Sequence, residues 1–180
     1  MDGIIWMDYT VISYTSKKGE KNMNKYMKVA KGLAEDNLTT NAGGPFGACV
    51  VKNGKIIGKG SNNVLKNNDP TAHAEIIAIR DACKNLKTYD LSECELYTSC
   101  YPCPMCLSAI IWANIKIVYY GNTKEDAASI GFRDDFIYDY IAKLSADKQN
   151  NNILELKSMD RNKTIEEFNK FKAKENKIIY

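Results

Sequence analysis

Four side chains have types and spacings that could do chemistry: His73, Cys103 and Cys106, with Glu75 two residues beyond the histidine. The chain holds one histidine and six cysteines, the others being Cys49, Cys83, Cys94 and Cys100. A single histidine excludes sites built on two or three, such as H-E-x-x-H proteases and three-histidine zinc hydrolases. Zinc takes imidazole nitrogen and thiolate readily, and a catalytic zinc uses three protein ligands and leaves the fourth position to water. Cys103 and Cys106 are three residues apart, so a helix presents them on one face. The positive end of such a helix favours the thiolate form that binds metal. His73, at a second helix start, can complete the trio.

Other readings compete. A C-x-x-C pair alone suits a structural zinc half-site or a redox pair equally well. Cys100 could supply a fourth ligand and close a structural site. Cys100, Cys103 and Cys106 also match part of an iron–sulfur run, but that pattern wants a further cysteine where Ile110 stands. Spacing does not assign a role to Glu75. On an ideal helix, residues two apart point nearly opposite ways.

The elements that must position these residues follow from periodicity. Tyr26, Met27, Ala30, Leu33 and Ala34 fall at helical spacing within 24–37, and the Gly-Gly-Pro run at 43–45 follows. Two short apolar runs, 46–51 and 55–60, flank Asn53-Gly54, the strongest short signal for a hairpin with a type I′ turn. Helices are expected over 71–85 and 102–114, with strands over 95–98 and 115–120. Further helices are expected over 124–130, 134–144 and 164–174, and a late strand over 153–156. The alternation gives an α/β chain with a mixed sheet of about five strands and helices on both faces.

The length fits one domain with a sizeable core, and no apolar run is long enough to cross a bilayer. Residues 1–22 lack the basic start, long apolar run and cleavage site of a secretory signal, and read as a peripheral or disordered extension. The expected compartment is therefore reducing and cytoplasmic, where metal or thiol chemistry outranks disulfides. Residues 1–142 carry 16 Lys+Arg against 16 Asp+Glu, and residues 143–180 carry 9 against 6, which accounts for the whole net charge of +3. A neutral body with a Lys-rich tail argues against a polyanionic substrate such as nucleic acid. The expected organisation is an extension at 1–22, a core domain at 23–144 and a C-terminal segment at 145–180.

The pair H-A-E at 73–75 and P-C-P-M-C at 102–106 resembles the signature of zinc deaminases, in which the glutamate moves protons and is not a ligand. Residues 43–140 are more closely similar to the bacterial guanine deaminases of the cytidine-deaminase-like superfamily. The matching pieces are Gly44–Ala48, Asn62-Asn63-Val64, Asn68 to Glu75, Leu96 to Cys100, Pro102 to Cys106 and Gly131 to Tyr138, with a terminal Tyr180. The resemblance implies a three-layer α/β/α fold and one zinc per subunit on His73, Cys103 and Cys106. It implies attack on the amino-bearing ring carbon of guanine, releasing xanthine and ammonia. Glu75 would be the main proton shuttle and Asp134 a second one. Asn62 and the backbone at Ala74 would hold the purine, Phe46 and Trp112 would wall it, and Tyr180 would close the pocket. It further implies a homodimer with exchanged C-terminal segments, acting in purine catabolism. Tyr101 departs from the superfamily, which has glutamate just before P-C-x-x-C; the edge of the pocket is affected, the metal set is not. Transfer-RNA adenosine deaminases, cytosine deaminases and an inactive zinc-stabilised module remain the alternatives, and three ligands rather than four would favour an enzyme.

Overall fold

The computed structural model describes residues 23–132, 134–145, 154 and 157–175. Residues 1–22, Tyr180 and nearly all of the expected strand at 153–156 lie outside them.

The sheet grows from the hairpin. β1 (Gly47–Lys52) pairs antiparallel with β2 (Lys55–Ser61) across Asn53 and Gly54, whose φ values of 50° and 74° are the two positive angles of a type I′ turn. β3 (Cys94–Cys100) lies antiparallel to β1 on its other side, and β4 (Ile117–Asn122) runs parallel to β3, giving the order β2-β1-β3-β4. The sheet is mixed, with four strands among the described residues rather than about five.

The pleat sorts the side chains into two layers. Ala48, Val50 and Leu96 point to one face and pack with α3 (Ala74–Leu86), Ile110 of α4 (Pro104–Trp112), and Ile115. Cys49, Val51 and Tyr97 point to the other and meet Tyr26 and Val29 of α1 (Lys25–Thr40). Helices therefore cover both faces. Two shorter helices, α2 (Val64–Asn67) and α5 (Lys124–Ser129), fill the connections, the latter opened by a capping box between Thr123 and Asp126.

One close approach seats the helix that matters most. A Cβ at Gly60 of β2 would overlap the carbonyl oxygen of Ala74, the first residue of α3. Only glycine lets α3 lie this near the sheet at the end that carries His73. The chain divides into two compact units after Tyr138, inside α6 (Asp135–Ser145). The first holds the sheet. The second holds the rest of α6 and α7 (Arg161–Ala173), with the Tyr140 hydroxyl donating to the Leu154 carbonyl at 3.3 Å.

Candidate active site

The site is built at two helix starts. His73 is the N-cap of α3 (φ −71°, ψ 154°) and Cys103 the N-cap of α4 (φ −66°, ψ 168°), with Pro104 at its favoured first helical position. Sequence periodicity put both starts two or three residues too early, and the difference decides the role of Glu75. His73 has extended backbone, and in an extended stretch residues two apart face the same side. Helical geometry begins only at Ala74, so His73 and Glu75 reach into one space.

His73 Nδ1 stands 3.6 Å from Cys103 Sγ and 3.7 Å from Cys106 Sγ. Zn–N and Zn–S bonds of roughly 2.0 and 2.3 Å at a tetrahedral angle imply an N–S edge of about 3.5 Å, close to both separations, so the trio fits a tetrahedral zinc. All three ligand atoms lie within 4.8 Å of one another, and Cys100 is not in the group. Its thiol turns away to the Thr123 carbonyl at 3.4 Å. Three ligands and an open position favour the catalytic arrangement over a closed structural one.

The electrostatics also suit a cation. A hydrogen bond from Cys106, with help from His73, pulls the Cys103 thiol down to about 4, while the same bond and burial hold the Cys106 thiol far above its usual value. A divalent ion bound here would deprotonate both thiols. His73 is raised, first by its hydrogen bond to Cys103.

Glu75 is buried and held at both oxygens. Thr98, fully buried on β3, donates to Oε1 at 2.9 Å, and the Cys106 thiol donates to Oε2 at 3.5 Å. Burial pushes its carboxyl up from the usual carboxylate range. Thr98 escaped the sequence reading because a threonine in a strand looks like any β-former; only its burial beside a carboxylate marks it.

A cavity of about 420 Å³ opens over this group, within the usual range for small-molecule sites. His73, Glu75 and Cys103 line it together with Asn62, Phe46 and Asp134. Asn62 is buried, and its Oδ1 accepts from the Val64 N–H at 3.2 Å. Phe46 meets Phe132 edge to face at 4.9 Å, and Phe132 is a lining residue that the sequence reading left out of the site. Asp134 precedes α6, its carbonyl accepting from the N–H groups of Ile137 and Tyr138. The Tyr138 hydroxyl in turn donates to the Pro102 carbonyl at 2.9 Å, tying this turn to the loop that carries Cys103. Tyr101 also lines the cavity, edge-on to Tyr120 at 5.0 Å. Two expected residues are not among the lining set. Ala74 is buried with its carbonyl turned to Gly60. Trp112 ends α4 at 67% exposure.

A mixed sheet with helices on both faces and a His-Cys-Cys group at two helix starts defines a zinc deaminase domain. The profile of the cytidine and deoxycytidylate deaminase zinc-binding region matches residues 20–122, and the chain belongs to that family. It is 55% identical to the guanine deaminase of Bacillus subtilis over 122 residues, 68% of this chain and 78% of that protein. The X-ray structure of the guanine deaminase from Bacillus subtilis matches with a TM-score of 0.79 at 43% identity, covering 89% of this chain and 99% of that one. A guanine deaminase structure from Nitrosomonas europaea matches at TM-score 0.59 and 32% identity, covering 70% and 68%. A tRNA-specific adenosine deaminase of Haemophilus influenzae is 40% identical over 117 residues, 64% of this chain and 67% of that protein.

Proposed function

We propose that this chain hydrolytically deaminates guanine to xanthine and ammonia. The observation that carries the reading is one cavity that joins His73 and Cys103 of the metal trio and Glu75 to Asn62 and Phe46. Its Oδ1 being taken by the Val64 N–H, Asn62 has its NH₂ group left to donate. Guanine offers two acceptors side by side, N7 and O6, whereas adenine pairs an acceptor with a donor. Phe46, braced by Phe132, gives the base a flat apolar wall.

His73, Cys103 and Cys106 would hold one zinc per subunit, which supplies Lewis acidity and makes water a nucleophile near neutral pH. Glu75 would take one proton from that water and pass it to the ring nitrogen beside the reacting carbon, then carry the second proton, from the hydroxyl left on that carbon, to the departing amine. Its burial and raised proton affinity suit a group that must hold a proton between transfers. Thr98 keeps the carboxylate aimed. Asp134 serves as a second shuttle from the cavity wall. Tyr180, Trp112 and the backbone at Ala74 belong to the same proposal. Tyr180 closes the pocket after exchange of C-terminal segments in a homodimer, and the enzyme works in cytoplasmic purine catabolism. No helix among the described residues is long and apolar enough to cross a membrane.

Guanine is favoured over tRNA because the match to the Bacillus subtilis structure runs over 89% of the chain, and because residues 1–142 are neutral. The test is ammonia release from guanine, adenine, cytosine, cytidine and guanosine, with and without a zinc chelator. Release from guanine alone, abolished by the chelator, is expected. Release from adenine or cytosine instead would keep the mechanism and overturn the substrate.

A further inference from the structure

Asn37 lies in the last turns of α1, outside every role assigned above, and is 6% exposed. A buried amide is expensive unless its donors and acceptor are all used. This one is used in full. Its Nδ2 donates to the Asn62 carbonyl at 2.7 Å and to the Gly44 carbonyl at 2.9 Å, and its Oδ1 accepts from the Thr40 hydroxyl at 3.1 Å. Two carbonyl partners admit only the NH₂ group, so the orientation of the amide is fixed by its surroundings.

The two carbonyls belong to different segments of the cavity wall. Gly44 sits in the α1–β1 loop beside Phe46; Asn62 follows β2. Both line the cavity. The Asn62 backbone is clamped from both ends, because its N–H also donates to the Phe46 carbonyl at 3.0 Å. With Oδ1 held by the Val64 N–H, little freedom is left to the Asn62 side chain. We infer that Asn37 is a positioning residue for substrate recognition: by bridging the Asn62 and Gly44 carbonyls it sets the angle at which the Asn62 amide meets the purine. The inference rests on the reading of Asn62 as the group that grips the base. Its chemistry is selectivity for an acceptor–acceptor edge, not proton transfer.

The experiment is a double-mutant cycle on the zinc-loaded enzyme. KM and kcat for guanine, zinc content and melting temperature are measured for Asn37→Ala, Thr40→Val, Asn62→Ala and the doubles. The same cycle is read as Kd for hypoxanthine, which lacks the amino group, so that loss of turnover does not end it. Asn37→Ala is expected to raise KM and Kd about five- to tenfold, the equivalent of one aligned hydrogen bond, with kcat within about twofold and zinc retained. Thr40→Val loosens the amide from an exposed position that folding tolerates, and should shift KM in the same direction by about two- to threefold. In the Asn62→Ala background both effects should shrink below about twofold, because the group being positioned is gone. A merely structural role would give equal effects in both backgrounds. Equal effects, or unchanged KM and Kd in Asn37→Ala and Thr40→Val, overturn the inference and leave guanine deamination standing. Undiminished binding in Asn62→Ala overturns the Asn62 assignment and this inference together. Absence of guanine turnover in the unaltered protein overturns the parent reading first.

Discussion

The proposed proton shuttle rests on the two oxygens of the Glu75 carboxylate, and each has its own partner. Glu75→Gln keeps the shape and a hydrogen bond to Thr98 but removes the proton acceptor. Zinc content should be unchanged and turnover should fall by about 10²-fold or more; ammonia release within about tenfold of the unaltered enzyme would sink the shuttle role. Thr98→Val is the subtler probe. It keeps the shape of a fully buried side chain and deletes only the hydroxyl that donates to Oε1. A bond to a charged acceptor contributes about 1.5–3 kcal/mol, so kcat should drop about tenfold or more while zinc stays bound. Unaltered kcat would mean that burial alone aims the carboxylate. Among these residues the metal trio was legible because zinc chemistry restricts ligand types and one histidine leaves no choice. The aim of Glu75 was not, since it depends on the extended backbone at His73, where helical periodicity gives the wrong answer. Asn37 and Thr98 were invisible because ordinary polar residues acquire a role only through tertiary burial. Trp112 entered only through the resemblance, and it ends α4 exposed.

The site exists because α3 and α4 begin at the right places against the sheet. Gly60→Ala tests the first of these contacts. The added methyl would overlap the Ala74 carbonyl, so α3 must lift from β2 at the end bearing His73. The expected outcome is a loss of about 1–3 kcal/mol of stability, as for overpacking elsewhere, together with weaker zinc binding in a chelator competition. Gly54→Ala is the matched control. It strains a turn residue at φ +74° by about 1–2 kcal/mol, lowering the melting temperature with no effect on zinc affinity. If both variants weakened zinc alike, the effect would be global stability and not the seating of α3. The hairpin was the most legible element, because Asn-Gly between apolar runs specifies both turn type and pairing. The strands were found one or two residues short at their ends; β3 runs to Cys100, its last residues paired with β4 in a way no local pattern announces. α2 was not anticipated, being four residues long and held by the Ala42 carbonyl from outside its own segment.

At the scale of the whole molecule, the proposal includes a homodimer in which the C-terminal segment of one subunit closes the cavity of its partner. The proposed exchange predicts an outcome that no single-chain arrangement can produce. One variant lacks residues 176–180, so its catalytic group is intact but Tyr180 is gone. A second carries Glu75→Gln with its tail complete. Each alone should bind zinc and turn over guanine at least about tenfold more slowly than the unaltered enzyme, the first for want of closure and the second for want of a shuttle. Co-expressed with separate tags and purified through both, they form mixed dimers. If tails cross, the Glu75→Gln subunit lends Tyr180 to its partner's intact site, and up to about half of the unaltered activity per dimer returns, one competent site of two. If each tail closes its own site, every site in the mixed dimer lacks one of the two groups, and activity stays at the level of the separate variants. Full activity in the truncated variant alone would remove Tyr180 from the site altogether. A mixed species that never forms would place both variants in monomers and overturn the exchange.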